Sequence, residues 1–259
     1  MNHEAVLAEY DRRMRQDAGP DGPGARIERL PGVVRQTAGT EDGWNGILWA
    51  DLPPGAADAA IAAQIAHFTT LGRAFEWKLH AHDRPACLAA RLTAAGFVPE
   101  AEETLMVAGT GTLPTTARLP AGIRLEPVTD PAGVDLMVAV HEQVFGPGRA
   151  RFRTQLLDRL ATAPDTVAAV VAMAGDTPVS AARIELPPDA PFASLWGGGT
   201  LPEWRGRGLY RALIAHRARI AAARGYPYLQ VDASDQSRPI LQRLGFAALT
   251  TTTPYVYGE

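Results

Sequence analysis

Lysine is nearly missing from this chain of 259 residues, and so is cysteine: Lys78 and Cys87 are the sole examples of each. One cysteine excludes an intrachain disulfide, and the apolar setting of Pro85-Ala86-Cys87-Leu88-Ala89 predicts a small buried thiol. With one lysine, the positive charge is carried by arginine; beside abundant Ala, Gly and Pro this reads as compositional bias, not as a functional arginine field. A formal net charge of -3 gives no support for a nucleic-acid partner, which calls for a basic domain. No apolar run approaches the ~18 residues of a membrane span. The opening Met1-Asn2-His3-Glu4-Ala5 lacks the charged-then-apolar order of a secretion signal. The expectation is a cytoplasmic protein with neither a membrane nor a nucleic-acid partner.

What is present is ordinary globular material, with 46% hydrophobic and 20% charged residues, enough for one large domain or two modest ones. Val6, Leu7, Tyr10 and Met14 predict a short helix, ended by the Gly/Pro-rich run from Ala18 to Gly24. Strand-like runs follow at 27–38 and 46–52, then a helix with Ile61, Ile65, Phe68 and Leu71 on one face and Gly72 at its end. Phe75 to His80 reads as a strand. Asp83-Arg84-Pro85 reads as an N-cap with proline in the first turn of a helix that Gly96 stops. A strand through Thr104–Val107 closes this unit, and 109–121 reads as a linker.

The second half opens with a strand at Ile123–Val128, a helix started by Asp130-Pro131 and broken at Phe145-Gly146, and a second helix carrying Phe152, Leu156, Leu157 and Leu160. An apparent hairpin turns at Gly175-Asp176, and a strand from Phe192 ends in Trp196-Gly197-Gly198-Gly199-Thr200. A helix with Leu209, Leu213, Ile214 and Ile220 inward, a strand at 228–233, a short helix after Ser237-Arg238-Pro239 and a last strand at 250–257 complete it. The two halves end alike: helix, strand, polar cap with Arg-Pro, helix, Gly-Phe, strand. The reading is an α/β (α+β) chain of two mixed-sheet units flanked by helices, at 1–108 and 122–259.

Between the third strand and the long helix of the second half lies Leu201-Pro202-Glu203-Trp204-Arg205-Gly206-Arg207-Gly208-Leu209-Tyr210. A helix start has backbone N–H groups without intrahelical partners and a partly positive dipole end. Glycines let such a loop approach a pyrophosphate, and Arg205 and Arg207 add charge-assisted donors. There is no lysine for a P-loop and no third glycine for a dinucleotide turn. The first half has Asp51-Leu52-Pro53-Pro54-Gly55 at the equivalent place.

From about residue 122 to 258 the sequence resembles the GNAT superfamily of acyl-CoA-dependent N-acyltransferases. The resemblance is carried by Arg205-Gly206-Arg207-Gly208-Leu209-Tyr210, the strand before it, and the helix-strand-helix and Leu244-Gly245-Phe246 after it. Tyr210 departs from the family pattern, which ends in Gly or Ala. The first half looks like a degenerate copy, so the whole resembles tandem-GNAT proteins. The resemblance implies acetyl-CoA as cosubstrate, without metal, and a small-molecule or peptide amine as acceptor. It implies that amides of Arg207, Gly208, Leu209 and Tyr210 hold the pyrophosphate, that Leu201, Arg205 and Gly206 also belong to the cofactor site, and that backbone near Thr200 meets the thioester. Ser234 stands where the family often has a CoA-contacting asparagine, and Ser237 is best explained as an N-cap.

Amine acylation needs a neutral amine, hence a base. Glu185 and Asp232 are the strand carboxylates nearest the expected cleft, and His141 borders it on a helix. The family's tyrosine general acid would fall at Leu241, leaving Tyr210, Tyr255, Tyr257 or a water as substitutes; Glu185 and Tyr255 are the catalytic candidates. Arg149, Arg151 and Arg153 hint at an anionic acceptor. His80, His82 and Asp83 lack a third ligand elsewhere and are not read as a metal site. The alternative to an enzyme is a non-catalytic acyl-CoA-binding or sensing protein.

Overall fold

The computed structural model describes residues 1–116 and 118–258. The chain divides into two compact units: the first is Met1–Met106 with Asp232–Arg238 and Ala248–Glu259, the second Val107–Val231 with Pro239–Ala247. The expected linker at 109–121 contains residue 117, which lies outside the described residues. Its beginning is no free spacer, since the Thr110 hydroxyl is buried and donates to the Tyr226 carbonyl at 2.7 Å.

The first unit starts with helix α1 (His3–Tyr10), continued by a π-helical turn over Asp11–Gln16. Strands β1 (Arg26–Leu30) and β2 (Val33–Thr37) follow as an antiparallel hairpin. The single strand expected over 27–38 is therefore two. Gly32 turns the chain at φ 74°, and a Cβ there would lie 2.6 Å from the Asp51 carbonyl oxygen, so only glycine fits. Then come β3 (Gly46–Ala50), α2 (Ala57–Thr70), β4 (Phe75–His80), α3 (Leu88–Ala94), the two-residue β5 (Val98–Pro99) and β6 (Glu103–Gly109). Ile61 and Phe68 of α2 face the core as expected, but Leu71 is the C-cap and is 46% exposed.

This unit's sheet runs β1-β2-β3-β4 and continues with β12 (Ala247–Tyr257), the last strand of the chain. From Thr252↔His80 to Tyr257↔Phe75, β12 pairs antiparallel with β4. Tyr255 packs in a core of Trp77, Phe75, Phe97, Ile61 and Leu92, with Phe75 stacked on Phe68 at 4.3 Å. Two expectations fail nearby. Asp83 caps no helix: it is buried, takes both oxygens to the Arg15 guanidinium at 2.6 and 2.7 Å, and accepts the His80 amide. Cys87 is exposed at the start of α3, where its sulfur accepts from Arg91 at 3.1 Å.

The second unit follows its expected elements closely. They are β7 (Ile123–Val128), α4 (Pro131–Phe145), α5 (Ala150–Thr162), β8 (Val167–Ala174), β9 (Thr177–Glu185), β10 (Phe192–Thr200), α6 (Leu209–Ala223), β11 (Tyr228–Ala233) and α7 (Arg238–Arg243). Asp130 caps α4 by accepting the Gly133 amide at 2.8 Å. Strands β7, β8, β9 and β10 pair antiparallel in chain order, and β10 pairs with β11 in parallel. Val134, Met137 and Val140 of α4 pack on Val171, Met173 and Ala181 of the sheet; Leu213 of α6 packs with Val170 and Ala182.

The two Gly-Phe helix endings share a hydrogen-bond pattern. After α3, the Phe97 amide donates to Leu92 O at 3.1 Å, and after α7 the Phe246 amide donates to Leu241 O at 3.0 Å. Gly96 and Gly245 stand between at φ 96° and 101°. These are left-handed glycine C-caps of the same form.

Candidate functional site

The arginine-glycine loop hangs between two buried anchors. Leu201 is 3% exposed and donates its amide to Val179 O at 3.0 Å; Leu209 is 1% exposed and opens α6. Between them a single 3-10 turn over Pro202–Trp204 leads into an exposed crest at Arg205, Gly206, Arg207 and Gly208. Gly206 and Gly208 sit at φ 75° and 88°, and Gly208 is the left-handed N-cap of α6. A Cβ on either would meet nothing within 4 Å, so both glycines are required by conformation and leave open space above the helix start. The arginines are engaged sideways: Arg205 Nε donates to Thr200 O at 3.1 Å, and Arg207 lies over the Trp204 ring at 4.6 Å. The crest thus exposes its backbone beside the two arginines.

Strand β10 is distorted where the three glycines lie. Its register against β9 runs Trp196↔Arg183 and then Gly199↔Ala181, so β10 carries one extra residue, a bulge. Gly197 there has φ 57°, and a Cβ on it would stand 2.8 Å from His141 Cε1. A Cβ on Gly198 would stand 3.1 Å from the Tyr210 ring, and one on Gly199 3.1 Å from Phe145. The bulky Tyr210 is thus matched by Gly198. His141 Nε2 is 2.8 Å from Gly197 O; the carbonyl only accepts, so Nε2 carries the proton. Burial between Phe145 and Phe152 pushes the imidazole down to about 4, despite that hydrogen bond and with help from Arg183 and Arg149.

Beside the bulge the sheet parts. The parallel pairing of β10 with β11 covers Phe192–Ser194 against Tyr228–Gln230, and from Leu195 onward β10 leaves β11. The first unit begins its corresponding parallel pair the same way, with Gly46↔Glu76 and Ile47↔Trp77. There the strands are drawn together again. Asp51 bridges Arg84 in parallel, the Leu52 amide donates to Arg84 O at 3.0 Å, and the Arg84 guanidinium grips Asp51 at 2.7 and 2.9 Å. One unit keeps its parting strands apart; the other fastens them.

The remaining residues singled out by sequence fall as follows. Thr200 is nearly buried at the end of β10, its hydroxyl 2.8 Å from that of Ser180. Glu185 is ion-paired with Arg159 at 3.3 Å and Arg183 at 3.2 Å. Asp232 pairs with Lys78 inside the first unit. Tyr255 lies in the first unit's core and Tyr257 packs against that core, so neither shares a unit with the loop. Leu241 is fully buried. The Ser237 hydroxyl donates to Ser234 O at 3.2 Å, with the two hydroxyls 3.3 Å apart, instead of capping α7. Arg153 pairs with Asp135 at 2.6 Å, and Arg149 donates to the Phe145 and Gly146 carbonyls. His82 bonds Asp11 at 2.8 Å, and among the described residues no trio of His, Cys, Asp or Glu is placed to hold a metal. Sequence reasoning missed Arg217, which is buried beneath the bulge. The signal was available, since it falls one helical turn after Leu213 on the inward stripe of α6.

Residues 135–246, from within α4 to the buried Phe246, match the model of the acetyltransferase (GNAT) family. Among solved structures, a GCN5-related N-acetyltransferase from Kribbella flavida superposes with a TM-score of 0.70 at 19% identity, over 99% of this chain and 94% of that one. A functionally unknown conserved protein from Staphylococcus epidermidis gives 0.69 at 13% identity, covering 94% and 96%. A tandem GNAT protein from the clavulanic acid biosynthesis pathway gives 0.58 at 13% identity, covering 99% and 95%. No curated protein sequence matches. The mixed α/β fold is that of these structures.

Proposed function

We propose that this chain is an N-acetyltransferase that moves an acetyl group from acetyl-CoA to an amine within a ternary complex. The donor site is in the second unit, and the first unit is a relative of the same plan that lacks such a site. The observation that carries this reading is the parted β10–β11 pair, joined to a glycine-capped helix start. An extended acyl-pantetheine arm adds to the free edge of β10 as a strand would, and the pyrophosphate takes the amides of the α6 start. The same observation with opposite sign, Asp51 fastened to Arg84, supports a first unit without cofactor.

In this reading the amine attacks the thioester carbonyl carbon, the bulge amides stabilise the oxyanion, and collapse expels the CoA thiolate. Of the three tyrosines weighed as proton donors to that thiolate, Tyr210 alone belongs to the unit with the loop, and we assign it that role in place of Tyr255. Glu185, held by two arginines, and His141, bound to the bulge, are given structural roles, which leaves deprotonation of the amine to solvent. The non-catalytic alternative draws on the same vacancy: Leu241 fills the family's tyrosine position and is fully buried.

Calorimetric titration of CoA into the full chain is expected to show one site per chain. Gly208→Val, which forces a β-branched residue into φ 88°, is expected to weaken binding at least about tenfold (about 1.4 kcal/mol) while the fold persists. Unchanged affinity would refute the loop assignment. Thiol release from acetyl-CoA across an amine panel then separates the two readings: binding without release under any amine leaves only the sensing role.

A further inference from the structure

Arg217 is the least expected residue in the second unit. It is 1% exposed on the inward face of α6, and among the described residues no carboxylate lies within ion-pair distance of it. Among the described residues its hydrogen bonds all go to carbonyls. Nε donates to Leu213 O at 3.1 Å, one turn back, and Nη1 donates to Arg183 O at 3.1 Å and, at a longer 3.5 Å, to Trp196 O. Nη2 lies 3.5 Å from where a Cβ on Gly198 would stand. Burying a cation without an anion is costly, and a leucine or methionine would fill this stripe at no such cost. Burial pushes the guanidinium down to about 10, which still leaves it charged at neutral pH.

The bulge is held from two sides. Gly197 O is taken by His141 of α4, and the preceding carbonyl, Trp196 O, is reached by Arg217 of α6. His141 fixes the Gly197 carbonyl, and Arg217, bonded at 3.1 Å to the carbonyl of Arg183 opposite Trp196, restrains the peptide plane before it, and hence where the N–H groups between Trp196 and Gly198 point. Of the two side chains only Arg217 carries charge, since the imidazole is neutral.

We infer that Arg217 is a positioning residue for acyl transfer, holding the β10 bulge in place and setting a positive charge beneath the amides that face the donor carbonyl. This rests on the donor-site reading above. A charge there is worth more than in water, because the guanidinium is buried and needs no reorganisation when the oxyanion forms.

The test is infrared difference spectroscopy of acetyl-CoA, labelled with carbon-13 at the thioester carbonyl, bound to the 259-residue chain. Bound to the wild type, the carbonyl band is expected to move to lower frequency than in free acetyl-CoA. Arg217→Met and Arg217→Gln are expected to lose most of that displacement while CoA affinity stays within about threefold, and Arg217→Lys to keep part of it. With an acceptor in hand, the neutral variants lower kcat with little change in KM for acetyl-CoA. A displacement that survives in either neutral variant overturns the inference, as does failure of both to fold, which would make Arg217 a folding device. Absence of acetyl-CoA binding by the wild type overturns the donor-site reading first, and this inference with it.

Discussion

His141 shows how one side chain joins stability to the shape of the bulge. It is buried between two phenylalanines and spends its single N–H on Gly197 O. Its pKa is depressed to about 4 in the folded chain, against the model-peptide value of about 6.5. Between those values the unfolded chain takes up a proton that the folded chain refuses. The neutral ring's contribution is therefore complete above pH 6.5 and is lost as the pH falls toward 4, by about 3 kcal/mol in all. His80, whose pKa is lowered by burial and by Arg15, adds a dependence of the same sign in the first unit. Comparing wild type with His141→Asn cancels it. The stability gap between the two proteins, from urea unfolding at pH 7.5, 5.5 and 4.5, is expected to narrow as the pH falls; a constant gap would contradict the assignment.

At the scale of elements, the two parallel strand pairs begin alike and end differently, and the second needs its bulge. Gly197 is where the bulge is least tolerant, being both left-handed and in contact with His141. Gly197→Ala is expected to cost about 1–3 kcal/mol and to abolish acetyl transfer by displacing the bulge. Gly111→Ala, in open space without a positive φ, is expected to change stability by less than about 0.5 kcal/mol. Denaturant unfolding of both variants checks this. The glycines of β10, the loop and the helix after it were legible in the sequence, because each rests on neighbours a few residues away. The clamps on the bulge were not: His141 and Gly197 are 56 residues apart, and nothing local in a helical arginine announces a carbonyl partner 21 residues upstream. Asp83 failed for the same reason. Its Asp-Arg-Pro setting has the pattern of an N-cap, and the partner that claims it, Arg15, is 68 residues away.

At the scale of the whole molecule, sequence order and compact units do not coincide. The last strand, read from sequence as the end of the second half, pairs along β4 and is counted with the first unit from Ala248 onward. The segment Asp232–Arg238 goes the same way and brings Asp232 to the chain's only lysine. No pattern in β12 could have said which β-edge it would join, because alternation specifies a face and not a partner. Tyr255 makes the consequence measurable. It is 8% exposed, opposite Trp77 in register and part of the first unit's core, although it stands four residues from the end of the chain. Tyr255→Ala is expected to destabilise the first unit by roughly 3–5 kcal/mol, the range for deleting a buried aromatic ring. The emission of Trp77, fully buried in the folded chain, reports this as an earlier red shift in denaturant, best read with the other four tryptophans replaced by phenylalanine. Tyr255→Phe keeps the ring and removes only the hydroxyl, so acetyl transfer is expected to stay within about twofold of wild type. A large loss of turnover in Tyr255→Phe with stability intact would return the proton-donor role to this residue and take it from Tyr210.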